Sequence, residues 1–172
     1  MIEKKHSRKK NVPGSKAQAI VEFAIVLPIL MAVLVGILEV GRYIFIYSAA
    51  TNASRNAVRY ASAVGRDDAH GLTKYNYCAG IKQVALDSTY LVPDSSINVV
   101  IDYIDDTGTK IGECNLWDVS QVDTDYTYGT GDRVQVTVTM PYKPMVNLVP
   151  IKQRNITSVS TRTILGIIEL DH

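Results

Sequence analysis

The chain is short of the residues and patterns that catalysis uses. It has three histidines, His6, His70 and His172, in the leader, a polar loop and the C-terminal end, so their positions suggest no Ser-His or Cys-His pair. P-loop, G-x-G-x-x-G and H-E-x-x-H patterns are all missing. An enzyme is not expected, and no cofactor is called for. Positive charge is absent over one long stretch: between Lys16 and Arg42 there is neither Lys nor Arg. Any partner within the chain for the acid in that stretch, Glu22, could only be the leader or a free amino terminus.

The charge-poor stretch, AQAIVEFAIVLPILMAVLVGILEVGR over residues 17–42, is the most informative part of the chain. From Gln18 to Leu38 a helix rising about 1.5 Å per residue spans roughly 31 Å, close to the hydrocarbon thickness of a bilayer. The segment is therefore expected to cross a membrane once. A carboxylate at the centre of such a helix costs about 2.5–3.5 kcal/mol, and less near an end. Glu22 lies one turn inside the N-terminal end, where the positive end of the helix dipole lowers that cost. Pro28 removes one backbone donor and should kink or loosen the helix locally. The leader carries Lys4, Lys5, Arg8, Lys9, Lys10 and Lys16 against Glu3. Positive flanks stay in the cytoplasm, so the C-terminal part is expected to face out. A nucleic-acid role for this cluster is disfavoured, because it has no interleaved aromatics and abuts an apolar span. A secretory signal peptide would have a shorter apolar core and a small-residue site at its outer end. This run is longer, holds Glu22, and continues through Glu39, Gly41 and Arg42 into more helix.

Residues 43–64 carry Ile46, Ala49, Ala50, Ala53, Ala57, Ala61 and Val64 in one stripe at spacings of three and four. Small side chains permit close approach, so this half of the helix should pack on a globular head of the same chain. Arg55, Asn56 and Arg59 lie mostly off the stripe. Beyond a break at 65–68, residues 74–90 can form a short helix with Tyr77, Ile81, Val84, Ala85 and Ser88 on one face, weakened by Gly80. Ile97 to Ile104 reads as a strand, Asp105-Asp106-Thr107-Gly108-Thr109 as a turn and Lys110 to Asn115 as the returning strand. In Arg133 to Met140, valines at 134, 136 and 138 alternate with Gln135, Thr137 and Thr139, so one face is buried. Ile156 to Leu165 alternates similarly and can pair beside it. Pro141, Pro144 and Pro150 predict an irregular connection between the two.

The strings AQAIVEFAIVLP (17–28), GILEVGR (36–42) and Ala50, Arg55, Ala57, Val58, Arg59, Tyr60 and Ala61 resemble the TadE-like minor pilins, or pseudopilins, of the tight-adherence, Flp-type branch of type IV pili. VQVTVTMPYKPMVNLVPI (134–151) resembles the end of that domain, while the middle, roughly 65 to 130, shows little likeness. The resemblance implies an α+β, pilin-like fold. A long N-terminal helix, transmembrane in its first half and amphipathic in its second, would pack on a small antiparallel β-sheet head. It also implies a prepilin peptidase that cuts so that a glutamate becomes the fifth residue of the mature chain. Counting back from Glu22 places the cut between Ala17 and Gln18. The family usually has glycine before the cut; here Ala17 stands there, and Gly14 is three residues too far upstream. The freed amine of Gln18 would then pair with Glu22 of a neighbouring subunit and fix register in a helical bundle. Glu22, Phe23 and Pro28 are the implied assembly residues. The implied partners are the major Flp pilin and other minor pilins, the prepilin peptidase, the Tad membrane platform, the assembly ATPase and the lipid bilayer.

The expected organisation is a basic cytoplasmic leader (1–17), a transmembrane half-helix (18–42), an amphipathic half-helix (43–64) and an extracytoplasmic head (65–172). The function implied is a minor pilin acting in assembly or at the tip of a surface pilus. The alternative is an uncleaved, single-pass anchored protein whose head binds a surface partner, for which Ala17 in place of glycine is the best support. In an exported head Cys78 and Cys114 are expected to pair; otherwise they are two buried thiols. Asp118, Asp123, Asp125 and Asp132 crowd a loop whose oxygens can hold Ca²⁺. Their spacing matches no EF-hand, so the reading adopted is a solvated acidic loop and no metal site.

Overall fold

A computed structural model describes residues 14–65, 72–90, 92–114, 131–145 and 153–165. The leader up to residue 13, the break at 66–68, all three histidines, Asp118, Asp123, Asp125 and Pro150 lie outside the described residues. The order of elements is helix α1 (Gly14–Ala61), helix α2 (Cys78–Asp87), then strands β1 (Asn98–Ile104), β2 (Lys110–Glu113), β3 (Arg133–Tyr142) and β4 (Arg154–Thr163). By contacts the chain divides into two units between Val40 and Gly41.

The first unit holds the N-terminal part of α1. Its helical backbone runs unbroken past Pro28, and among the described residues its apolar side chains are exposed, Phe23 at 65% and Leu38 at 72%.

In the second unit the remainder of α1 packs on a four-stranded antiparallel sheet of order β2-β1-β3-β4. Alternation builds the layer between them. Val99, Ile101 and Tyr103 of β1 and Val134, Val136, Val138 and Met140 of β3 turn inward. The helix meets them with Ile46, Ala50, Ala53, Ala57 and Ala61, all buried. Alanine on this face lets the helix backbone sit close to the sheet, where bulkier side chains would overpack it. Val64 leaves the predicted stripe: α1 ends at Ala61, and Val64 is 51% exposed. Ser54 and Val58 are buried instead, because they lie one turn from Ala50 and Ala57 or Ala61 on the same face.

Three expectations about the head shift in the structure. The short helix begins at Cys78 rather than 74, since residues 73–77 form a turn in which Thr73 O accepts the N–H groups of Asn76 and Tyr77. Gly80 is required there: a Cβ would run into the ring of Tyr77 and come within 3.0 Å of the Tyr60 hydroxyl. Strand β3 continues through Pro141 to Tyr142. Its ladder with β1 stops at Thr139 while that with β4 reaches Tyr142, so Pro141 has a strand on one side only, the condition under which a sheet tolerates proline.

The β1–β2 turn is organised by one carboxylate. Asp105 Oδ1 accepts the Thr107 hydroxyl and the Thr109 N–H, each at 2.7 Å, and Gly108 takes φ +91°. The Thr107 hydroxyl, then the Thr109 amide, holds the Asp105 carboxyl below its ordinary range. Across the same hairpin Lys110 Nζ lies 2.6 Å from Asp102 and 3.0 Å from Glu113. Asp102, then Glu113, raises the Lys110 ammonium above its usual value. Cys78 and Cys114 form a disulfide, Cα–Cα 5.8 Å, joining the first residue of α2 to the end of β2. Tyr103 donates its hydroxyl to the carbonyl of Tyr75, and the same oxygen lies 3.1 Å from Cys114 Sγ.

Candidate functional site

The residues expected at the processing and assembly site share the first turns of α1. The Ala17–Gln18 bond lies four residues into a helix that starts at Gly14. Gln18 Nε2 donates to Glu22 Oε1 at 3.1 Å, across one turn. Glu22 therefore has a partner on its own helix, which the sequence, scanned only for charges, did not reveal. Phe23 and Ile20 flank it, exposed at 65% and 68%. The helix is long and apolar enough to cross a membrane, and none of its most apolar 18-residue window is buried. An apolar surface of this extent marks a membrane or protein contact rather than a solvated face.

A second group lies where α1 enters the head unit. Arg42 Nη1 donates to Lys143 O at 3.0 Å, and its guanidinium lies 6.0 Å from the centre of the Tyr142 ring. Tyr43 meets the same ring edge-on, centroids 5.3 Å apart. The bond and the ring contacts pin the start of this helical segment to the end of β3, with Tyr142 itself buried.

A third group, not foreseen in full, lies along the α1–β4 seam. Ser54, fully buried, has its Oγ 3.0 Å from Ser158 Oγ and 2.9 Å from Ser160 Oγ. The inward positions of β4 between Ile156 and Ile164 are thus Ser158, Ser160 and Arg162, while Val159 points outward and is 54% exposed. Beside these serines opens a groove of about 510 Å³ lined by Arg55 and Arg59 of α1 and Arg162 of β4. The alternating residues from 156 to 165 marked the strand and put Arg162 on the face of Ile156 and Ile164, but nothing in them said which helix residues it meets.

Of the four weak calcium candidates only Asp132 is among the described residues. Asp132 precedes β3, where its carbonyl accepts the Ile164 N–H at 2.7 Å; its three companions lie outside the described residues.

An apolar helix compatible with membrane anchoring and continuing onto a four-stranded antiparallel sheet defines an α+β, pilin-like class. Within that class, residues 17–59, on helix α1, match the family model described as TadE-like protein. The match does not extend to the string at 134–151. No curated protein and no solved structure matches the chain.

Proposed function

We propose that the protein is a minor pilin of a Tad pilus. The observation that carries this reading is that the TadE-like match falls on the helix that combines exposed apolar surface with Glu22 near its start. On this reading a prepilin peptidase cuts between Ala17 and Gln18. The new amino terminus lies four residues from Glu22, and the amine of one subunit pairs with the Glu22 carboxylate of the next. Desolvation makes such a pair sensitive to geometry, which suits it to setting register between subunits. The apolar half-helix occupies the bilayer before assembly and a bundle of like helices after it, with the head outside the cytoplasm, where its disulfide persists. The protein acts as a structural subunit that primes assembly or caps the pilus, and not as an enzyme.

Besides Ala17 in place of glycine, the anchored alternative has one structural observation in its favour: the Gln18 amide already donates to Glu22 Oε1 in the uncut chain. Co-expression with a cognate prepilin peptidase, followed by intact mass and N-terminal peptide mapping, separates the two. A start at Gln18 supports the pilin. An uncut leader, with the peptidase active on a glycine-containing control substrate, contradicts it and leaves the anchored binding protein.

A further inference from the structure

We infer that the arginine groove between α1 and β4 is a docking site for an extended, carboxylate-bearing segment of a neighbouring protein subunit. Arg55 and Arg59 stand one turn apart on α1, and Arg162 reaches the same groove from β4, more than one hundred positions later in the chain. No carboxylate lines the groove among the described residues. A second groove of about 500 Å³ continues it past Ala61 and shares Arg59 and Arg162.

The fold does not require this clustering. Arg59 lies in the last turn of α1, where a cation favours the helix dipole; Arg55 has no such reason. Like charges one turn apart destabilise a helix by about 0.2–0.5 kcal/mol, and Arg162 adds a third charge of the same sign. An anion seated among them removes the repulsion and gains charge-assisted hydrogen bonds.

Two features select a protein segment in extended form. The backbone positions of Arg55 and Arg59, i and i+4 on α1, are about 6 Å apart along the axis, and positions i and i+2 of a strand, which carry side chains on one face, are about 6.6–6.8 Å apart. The strand bordering the groove, β4, is also an edge of the sheet, with no strand paired to its other side among the described residues. An incoming strand can therefore hydrogen-bond to the β4 backbone while its acidic side chains meet the arginines. Asn52 and Asn56 line the same groove and supply neutral amide donors for the carboxylate oxygens left over.

This inference stands on the head and does not depend on leader cleavage. The test is fluorescence anisotropy with the full chain in detergent micelles and a labelled ten-residue peptide of alternating Asp and Thr, against the same peptide with Asn for Asp. The Asp peptide is expected to bind and the Asn peptide not to. The double substitution Arg55→Gln, Arg59→Gln is expected to weaken binding about tenfold or more, as loss of two charge-assisted contacts would. Arg162→Gln, on a different element, provides an independent reduction should the helix variant disturb folding. Arg154→Gln, on β4 but outside the groove lining, should bind as the unsubstituted chain does. Equal binding of the Asn peptide, equal loss in Arg154→Gln, or arginine-dependent binding of inorganic phosphate or phosphatidylglycerol vesicles without binding of the Asp peptide would overturn the inference.

Discussion

Single side chains decide how closely α1 and α2 approach their neighbours. Gly80 leaves room for the Tyr77 ring and the Tyr60 hydroxyl, so Gly80→Ala should destabilise the head by about 1–3 kcal/mol through overpacking, read as a lower denaturant midpoint at unchanged slope. A helix-propensity argument predicts the opposite sign, since alanine is the better helix former; the measurement therefore separates the two. Ser54 bonds two serines of β4, and Ser54→Ala should cost about 1–2 kcal/mol by stranding hydroxyls in the seam. At this scale the sequence was readable where spacing alone carries the information, as for Ala50, Ala53, Ala57 and Ala61. It was not readable where two distant residues meet: Ser54 with Ser158 and Ser160, or Arg55 and Arg59 with Arg162. Nothing local in either segment encodes such a meeting.

At the scale of elements, two ties hold the hairpin and α2. The disulfide closes 36 residues between α2 and β2. Replacing both cysteines by serine should cost about 3–4 kcal/mol in the chain-entropy account, measured as the difference in unfolding free energy. Asp105 gives the β1–β2 turn a dependence on acid. Its carboxyl is held below the ordinary range in the folded chain, so its contribution is present above the unfolded value of about 3.9 and is lost as pH falls through the lower, folded value. Asp105→Ala should therefore lower the melting temperature at neutral pH and flatten its decline in acid, as thermal melts across that range would show. The hairpin and β3 were legible from β-branched runs, turn residues and strict alternation. The extension of β3 through Pro141 was not, because a proline's acceptability there depends on where β1 begins, a fact of the sheet and not of the strand. Likewise α2 begins four residues late because the carbonyl of Thr73 captures the preceding amides in a turn.

At the scale of the whole molecule, the account joins an apolar helix that carries the TadE-like match to a disulfide-tied head. Its central claim is that Glu22 serves assembly between subunits and is not a tolerated acid near a membrane surface. The most direct measurement follows Glu22→Leu in cells that make the pilus, quantifying head peptides in both the membrane and the sheared surface fraction. Leucine suits a bilayer better than a carboxylate does, so the variant should reach the membrane at least as well as the unsubstituted chain. The account predicts membrane levels maintained and the surface fraction lost, with fewer pili per cell. Unchanged recovery of the variant in sheared pili would contradict it.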